Sequence, residues 1–131
     1  MAKLRHIAYR ATDPDATATF FVNTLGMDIV QRRKNGAIDL TDGMINITVL
    51  PMTSGMASGA ENRPGVNHIG FTVADDDKVA RAMEAAGARQ IGAIGSSDTA
   101  HYELKYEGPD GIVIDIGHWV GTAPIEAEAR A

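Results

Sequence analysis

The sequence contains no cysteine, which excludes disulfides and thiolate metal sites and fits a reducing cytosol. No stretch approaches the roughly 20 apolar residues that a membrane span requires. The segment Met1-Ala2-Lys3-Leu4-Arg5-His6 enters a strand pattern directly, with no apolar signal core before it. Positive charge is also in short supply: 12 Lys and Arg stand against 17 Asp and Glu, for a net charge of −5. No basic stripe offers a footprint for nucleic acid. These absences describe a soluble, cytoplasmic chain that engages neither nucleic acid nor membrane. What is present, 131 residues of which 44% are hydrophobic, is enough for one globular domain with a core.

The chain is written twice. His6-Ile7-Ala8-Tyr9, running to Asp13, returns as His68-Ile69-Gly70-Phe71, running to Asp75. After each Asp a helical pattern follows, ending at Gly26 in one copy and Gly87 in the other. Asp13 suits an N-cap, and Pro14 suits the first helical position, where a missing N–H costs nothing. Asp75 caps the second helix, with Asp76 and Asp77 favourable in its first turn. Val79, Met83 and Ala86 give that helix an apolar stripe, and both glycines suit a left-handed helix end.

Three strands then follow in each copy: Met27–Arg33, Ala37–Thr41 and Met44–Leu50, then Arg89–Ile94, His101–Tyr106 and Ile112–Gly117. Asn35-Gly36 signals a two-residue hairpin, Asp42-Gly43 the next turn, and Pro109-Asp110-Gly111 the turn into the last strand. The expected architecture is α+β: two βαβββ modules that curl their strands into a shared cup, with helices outside. Repeat one spans about 3–51, a linker rich in Gly, Ser and Met about 52–66, repeat two about 67–118, and a tail 119–131.

Strand parity then selects the chemistry. Side chains alternate across a strand, so His6 stands opposite Ile7 and Tyr9, and His68 opposite Ile69, Phe71 and Val73. Asp115 stands opposite Ile112, Ile114 and Ile116. Two imidazoles and a carboxylate turned away from the core are the inventory of a divalent-metal site. An Asp inside Ile-Val-Ile-Asp-Ile, a residue type depleted in strands, calls for such a reason.

The same parity puts Asn46, Asp39, His101, Glu103 and Lys105 on the cup face. A solvated strand face is the ordinary setting for such residues. Asn46 and Asp39 are the candidates for substrate contact, and Glu103 or His101 for the general acid/base that proton transfer needs near a metal. Arg32-Arg33-Lys34, at a hairpin tip, reads as solvated charge.

With the paired His-Ile starts, the Asp-capped helices ending in glycine, and Gly108-Pro109-Asp110-Gly111-Ile112-Val113-Ile114-Asp115, the sequence resembles the vicinal oxygen chelate superfamily over about residues 3–120. That superfamily includes glyoxalase I, methylmalonyl-CoA epimerase, extradiol dioxygenases, and fosfomycin and bleomycin resistance proteins. The resemblance implies paired modules, commonly homodimeric, with a divalent metal (Fe, Ni, Zn or Mn) chelating adjacent oxygens of a small-molecule substrate. It places the metal on His6, His68 and Asp115, although Asp115 is one methylene shorter than the Glu usual there. A fourth ligand, Glu or Gln, often comes from the last strand of the first repeat. Here the cup-facing candidate in that strand is Asn46, whose amide cannot act as a base, so glyoxalase activity is disfavoured. Three ligands rather than four lean toward dioxygenase chemistry, and lyase or isomerase chemistry stays open. The alternative is a binding module of the bleomycin-resistance type that sequesters a small molecule without catalysis.

Overall fold

The computed structural model describes residues 2–52, 62–95 and 102–118. The elements run β1 (Lys3–Ala11), α1 (Pro14–Leu25), β2 (Asp28–Arg32), β3 (Ile38–Thr41), β4 (Asn46–Pro51), then β5 (Gly65–Thr72), α2 (Asp76–Ala85), β6 (Arg89–Gly95), β7 (Tyr102–Glu107) and β8 (Val113–His118). One mixed sheet contains all eight strands in the order β2-β3-β4-β1-β5-β8-β7-β6. The α+β architecture of two βαβββ modules is thus present, with β1 and β5 as the seam between them.

Each module begins with a strand that pairs parallel to that module's last strand, β1 with β4 and β5 with β8. A parallel pair needs a long crossover, which here includes the helix. Both helices are capped as the sequence predicts. Asp13 accepts from the Ala16 N–H at 3.1 Å and Asp75 from the Lys78 N–H at 3.0 Å. Each helix turns off at a glycine with positive φ, Gly26 at 68° and Gly87 at 90°, the left-handed conformation that a residue lacking Cβ adopts freely.

The helices cover one face of the sheet. Against α1 lie Ala11, Met27, Ile38, Leu40 and Val49 around Ala18, with Tyr9, Phe21 and Ile47 at the edge. Against α2 lie Val73, Tyr106 and Ile116, with Val79, Ala80, Met83, Ala88 and Ile114 packed on them. Burying one aliphatic side chain of this size contributes about 1.5–3 kcal/mol, so these rows anchor the strands and fix their parity. Two local expectations are corrected. Ala86 is exposed because the helix ends at Ala85; Ala80 joins the stripe instead, and Ala88, beyond the helix, packs beside it. The Asn35-Gly36 hairpin has a three-residue loop: Arg33 N–H donates to Ala37 O at 2.8 Å, leaving Lys34, Asn35 and Gly36 outside the ladder. Gly36 there has a φ of 92°, as a left-handed loop residue beside a type I turn requires.

The seam carries an approximate two-fold axis. Ile7 faces Ile69, while His6 faces Gly70 and Ala8 faces His68. The symmetry extends to the outer strands. Irregularities between Ile29 and Gln31 and between Gln90 and Gly92 interrupt the two equivalent ladders at matching places. Asp39 pairs Thr48 in one module as Lys105 pairs Asp115 in the other.

Candidate metal centre

The face of the sheet turned away from the helices is polar and buried. His6, Ala8 and Arg10 of β1 point to it, together with Asn46 and Thr48 of β4, Asp39 of β3, Glu103 and Lys105 of β7, and Asp115 of β8; all are buried. The solvated setting expected for Asp39, Glu103 and Lys105 is therefore corrected: they are 0%, 5% and 4% exposed. Burial of this face is set by the tertiary structure, which strand parity cannot encode.

His6, His68 and Asp115 come together here from three adjacent strands. One donor atom from each lies within 4.8 Å of the other two. His68 Nε2 is 3.2 Å and His6 Nε2 is 3.5 Å from the same carboxylate oxygen, Asp115 Oδ2. The imidazoles stand edge to face, with centroids 5.3 Å apart and planes at 87°. Two ligands at about 2.1 Å from one ion and roughly 90–110° apart are themselves about 3.0–3.4 Å apart. The separations of both histidines from Asp115 therefore match, or nearly match, those of ligands sharing one divalent ion.

Electrostatics favours the same protonation states. Burial pushes the His68 imidazolium pKa down to about 3; Asp115 opposes this, while Lys105, His6 and Arg10 add to it. His68 is therefore neutral at pH 7, as a metal ligand must be. The His68 Nδ1–H donates to Asn67 Oδ1 at 2.6 Å, which leaves the Nε2 lone pair aimed at Asp115, the outer hydrogen bond that usually orients a ligating histidine. Burial alone would raise the Asp115 carboxyl, but its hydrogen bond with His6 and the charges of His68 and Lys105 hold it well below the usual carboxylate range. With His68 neutral, the persistent positive charge is Lys105, whose ammonium reaches both carboxylate oxygens at 2.9 and 2.8 Å.

Three further residues shape the centre, and each eluded the sequence reading in its own way. Gly70 lies between His6 and Asp115 in the sheet, paired with both. A Cβ there would fall 2.0 Å from His6 Cε1 and 2.3 Å from Nδ1, so only glycine lets the His6 ring lie across this strand. The repeat offered one signal, since Gly70 stands where Ala8 stands in the first copy. Lys105 was visible as a cup residue by parity, but nothing local showed that it would grip Asp115. Thr48, rather than Asn46, is the register counterpart of Asp115: Thr48 pairs Ala8 as Asp115 pairs Gly70. Asn46, the cup-facing candidate for the fourth-ligand place, stands two residues before that counterpart, opposite His6. The second module is longer between its first and last strands, so counting along the sequence misses the correspondence.

The other candidates divide. Asn46 is buried beside His6 in the β1–β4 pairing, and its Oδ1 has no hydrogen-bond partner among the described residues. Glu103 Oε1 lies 3.9 Å from His6 Nε2. Asp39 is enclosed instead, accepting from Gln31 at 2.9 Å, Arg33 at 2.7 and 3.1 Å, and Thr48 at 2.7 Å. Arg33 is accordingly an ion-pair partner, not solvated charge at the hairpin tip, and Arg32 pairs with Asp15. His101, the other acid/base candidate, lies outside the described residues.

Paired βαβββ modules joined at a seam that carries a His, His, carboxylate cluster define the class of fold and its candidate metal site. The family model described as the Glyoxalase/Bleomycin resistance protein/Dioxygenase superfamily matches residues 3–116, and the chain belongs to that superfamily. No curated protein matches the sequence significantly. Among solved structures, a hypothetical protein of Bacillus halodurans is similar at 18% identity and a TM-score of 0.73, over 93% of this chain and 97% of its own. Methylmalonyl-CoA epimerase from Mycobacterium tuberculosis is similar at 19% identity and a TM-score of 0.69, over 98% and 91%. The 2,3-dioxygenase LapB of a Pseudomonas species is similar at 18% identity and a TM-score of 0.69, over 88% of this chain but 40% of its own. At these identities the likeness is one of fold. Among the described residues no helix is long and apolar enough to cross a membrane.

Proposed function

We propose that this chain is a divalent-metal-dependent enzyme acting on a small molecule, with His6, His68 and Asp115 as the metal ligands. One observation carries the reading: two histidines from different repeats, on β5 and β1, converge on one carboxylate oxygen of β8 at 3.2 and 3.5 Å. When bound, the metal supplies Lewis acidity and a template for two adjacent substrate oxygens. Around it, Glu103 is the candidate acid/base, its Oε1 3.9 Å from His6 Nε2; His101, by strand parity, is the second candidate. Asn46, with its unpartnered Oδ1, is the substrate-contacting residue. Asp39, whose oxygens are engaged within its own module, braces the first module's part of the wall. In this reading the protein is a cytoplasmic homodimer, as the family resemblance implies; light scattering after size exclusion tests the dimer.

A second reading, a non-catalytic binder of the bleomycin-resistance type, is favoured by a different observation: the Lys105 ammonium already satisfies Asp115 at 2.8 and 2.9 Å. One experiment separates the two. Chelator-stripped protein is offered Fe(II), Ni(II), Mn(II) and Zn(II), beside His68→Ala and Asp115→Ala. Stoichiometric binding lost in both variants supports the metalloenzyme. A preference for Fe(II) directs substrate screens to catechol-like compounds with O₂, and one for Ni(II) or Zn(II) directs them to isomerase and lyase substrates. Equal, poor binding by all three proteins supports the binder.

A further inference from the structure

Lys105 is the buried residue that the metal reading leaves unexplained. It extends from β7 onto the register partner of its own backbone, Asp115, and grips both oxygens of the carboxylate that would serve as a ligand. Its neighbour on the same strand face is Glu103, whose Oε2 is 3.9 Å from the ammonium. All three are buried, so the cluster holds two carboxylates and one ammonium in a region where unpaired charge is costly. A lysine serving only to orient a ligating carboxylate needs no more than the oxygen turned away from the histidines. Here it takes both, and the oxygen facing the two histidines is also the one it approaches more closely, at 2.8 Å.

The geometry points to Lys105 as a built-in competitor of the divalent ion, pairing with Asp115 in the metal-free protein and shifting onto Glu103 when the ion binds. This inference rests on the metal reading given above. The exchange needs no change in protonation: the Lys105–Asp115 pair opens, Asp115 turns to the ion, and the ammonium keeps a carboxylate partner one step along its own strand. Metal-free, the centre is a closed ion pair and the histidines have no charge to hold. Metal-loaded, the ammonium stands beside a divalent charge, and that repulsion weakens binding. The consequence is a site that keeps its shape without metal and holds metal less tightly than His₂Asp alone would.

The test is the dissociation constant for Zn(II) and Ni(II), read by competition with a chromogenic chelator, in wild type, Lys105→Met and Lys105→Gln. The glutamine variant keeps a hydrogen bond to Asp115 and guards against misfolding of the methionine variant. The expected result is binding tighter by about tenfold or more in the uncharged variants, each tenfold being the ordinary measure of one lost opposing interaction of about 1.4 kcal/mol. Adding His68→Ala abolishes the gain. A melting curve gives a second readout: without metal the variants melt below wild type, and Zn(II) raises their melting temperature more than that of wild type. Variants that bind as wild type does, or more weakly, overturn the competitor role and make Lys105 a positioning residue, while the metal reading stands. Failure of wild type and both variants to bind either ion overturns the metal reading itself, and the inference with it.

Discussion

The two modules solve the same backbone problem with opposite chemistry. At equivalent register positions the first has Asp39 beside Thr48 and the second has Lys105 beside Asp115. In the first, the charged residue is surrounded by its own module: Arg33 and Gln31 come from the adjoining hairpin and Thr48 from the next strand. In the second, the place matching Gln31 is Gly92, which has no side chain to reach the pair. Asp115 instead faces His68 on the adjacent strand and His6 across the seam. Symmetry of fold therefore does not carry symmetry of function. One polar cluster is a closed structural network, and its twin is left open toward the histidines.

Exchanging the carboxylates for alanine tests that contrast most severely. Asp115→Ala leaves Lys105 buried without its partner and should cost about 3–5 kcal/mol in urea unfolding. It should also weaken metal binding by more than about a hundredfold, beyond the range typical of outer hydrogen-bond partners. Asp39→Ala should cost about 1–3 kcal/mol through its stranded donors and leave metal affinity within a factor of two. Equal loss of metal in both would erase the distinction between the modules.

Gly70→Ala probes the seam. The added methyl would overlap the His6 ring, so we expect metal affinity to fall by roughly 10–100-fold and stability by about 1–3 kcal/mol. Unchanged metal affinity would show that His6 does not need its place over β5.

Acid should act through the second module. The folded-state pKa of His68 is lowered from 6.5 to about 3 by burial, so the unfolded chain takes up the proton first as pH falls. The stability that the neutral ring allows is complete above pH 6.5 and is lost as pH drops from there toward 3, with a slope approaching about 1.4 kcal/mol per pH unit. Urea midpoints across this range should flatten in metal-free His68→Gln; an unaltered slope would remove His68 as the cause.

The smallest effect is expected at the closed cluster. Thr48→Val deletes one hydrogen bond to Asp39, for a loss of about 1 kcal/mol and no change in metal binding. A large metal effect would mean that Thr48 takes part in the centre after all.

The sequence by itself determined the modules, the caps and the parity of every strand that carries a candidate residue. These depend on spacing within a few residues: a period of two in Ile112-Val113-Ile114-Asp115-Ile116, or an Asp followed by Pro14 at a helix start. The repeat then placed His6 and His68 at matching positions. Tertiary structure alone decided which of these residues meet. That Thr48 rather than Asn46 answers Asp115 follows from the parallel β1–β4 and β5–β8 registers, which irregular ladders and unequal loops hide from any count along the chain. That Arg33 closes Asp39 while Lys105 grips Asp115 depends on which side chain reaches across a neighbouring strand. Gly70 acquires its meaning only when the His6 ring, more than sixty residues earlier in the chain, is laid across it. Parity is local and therefore legible; register and reach join distant segments, and only the folded sheet fixes them.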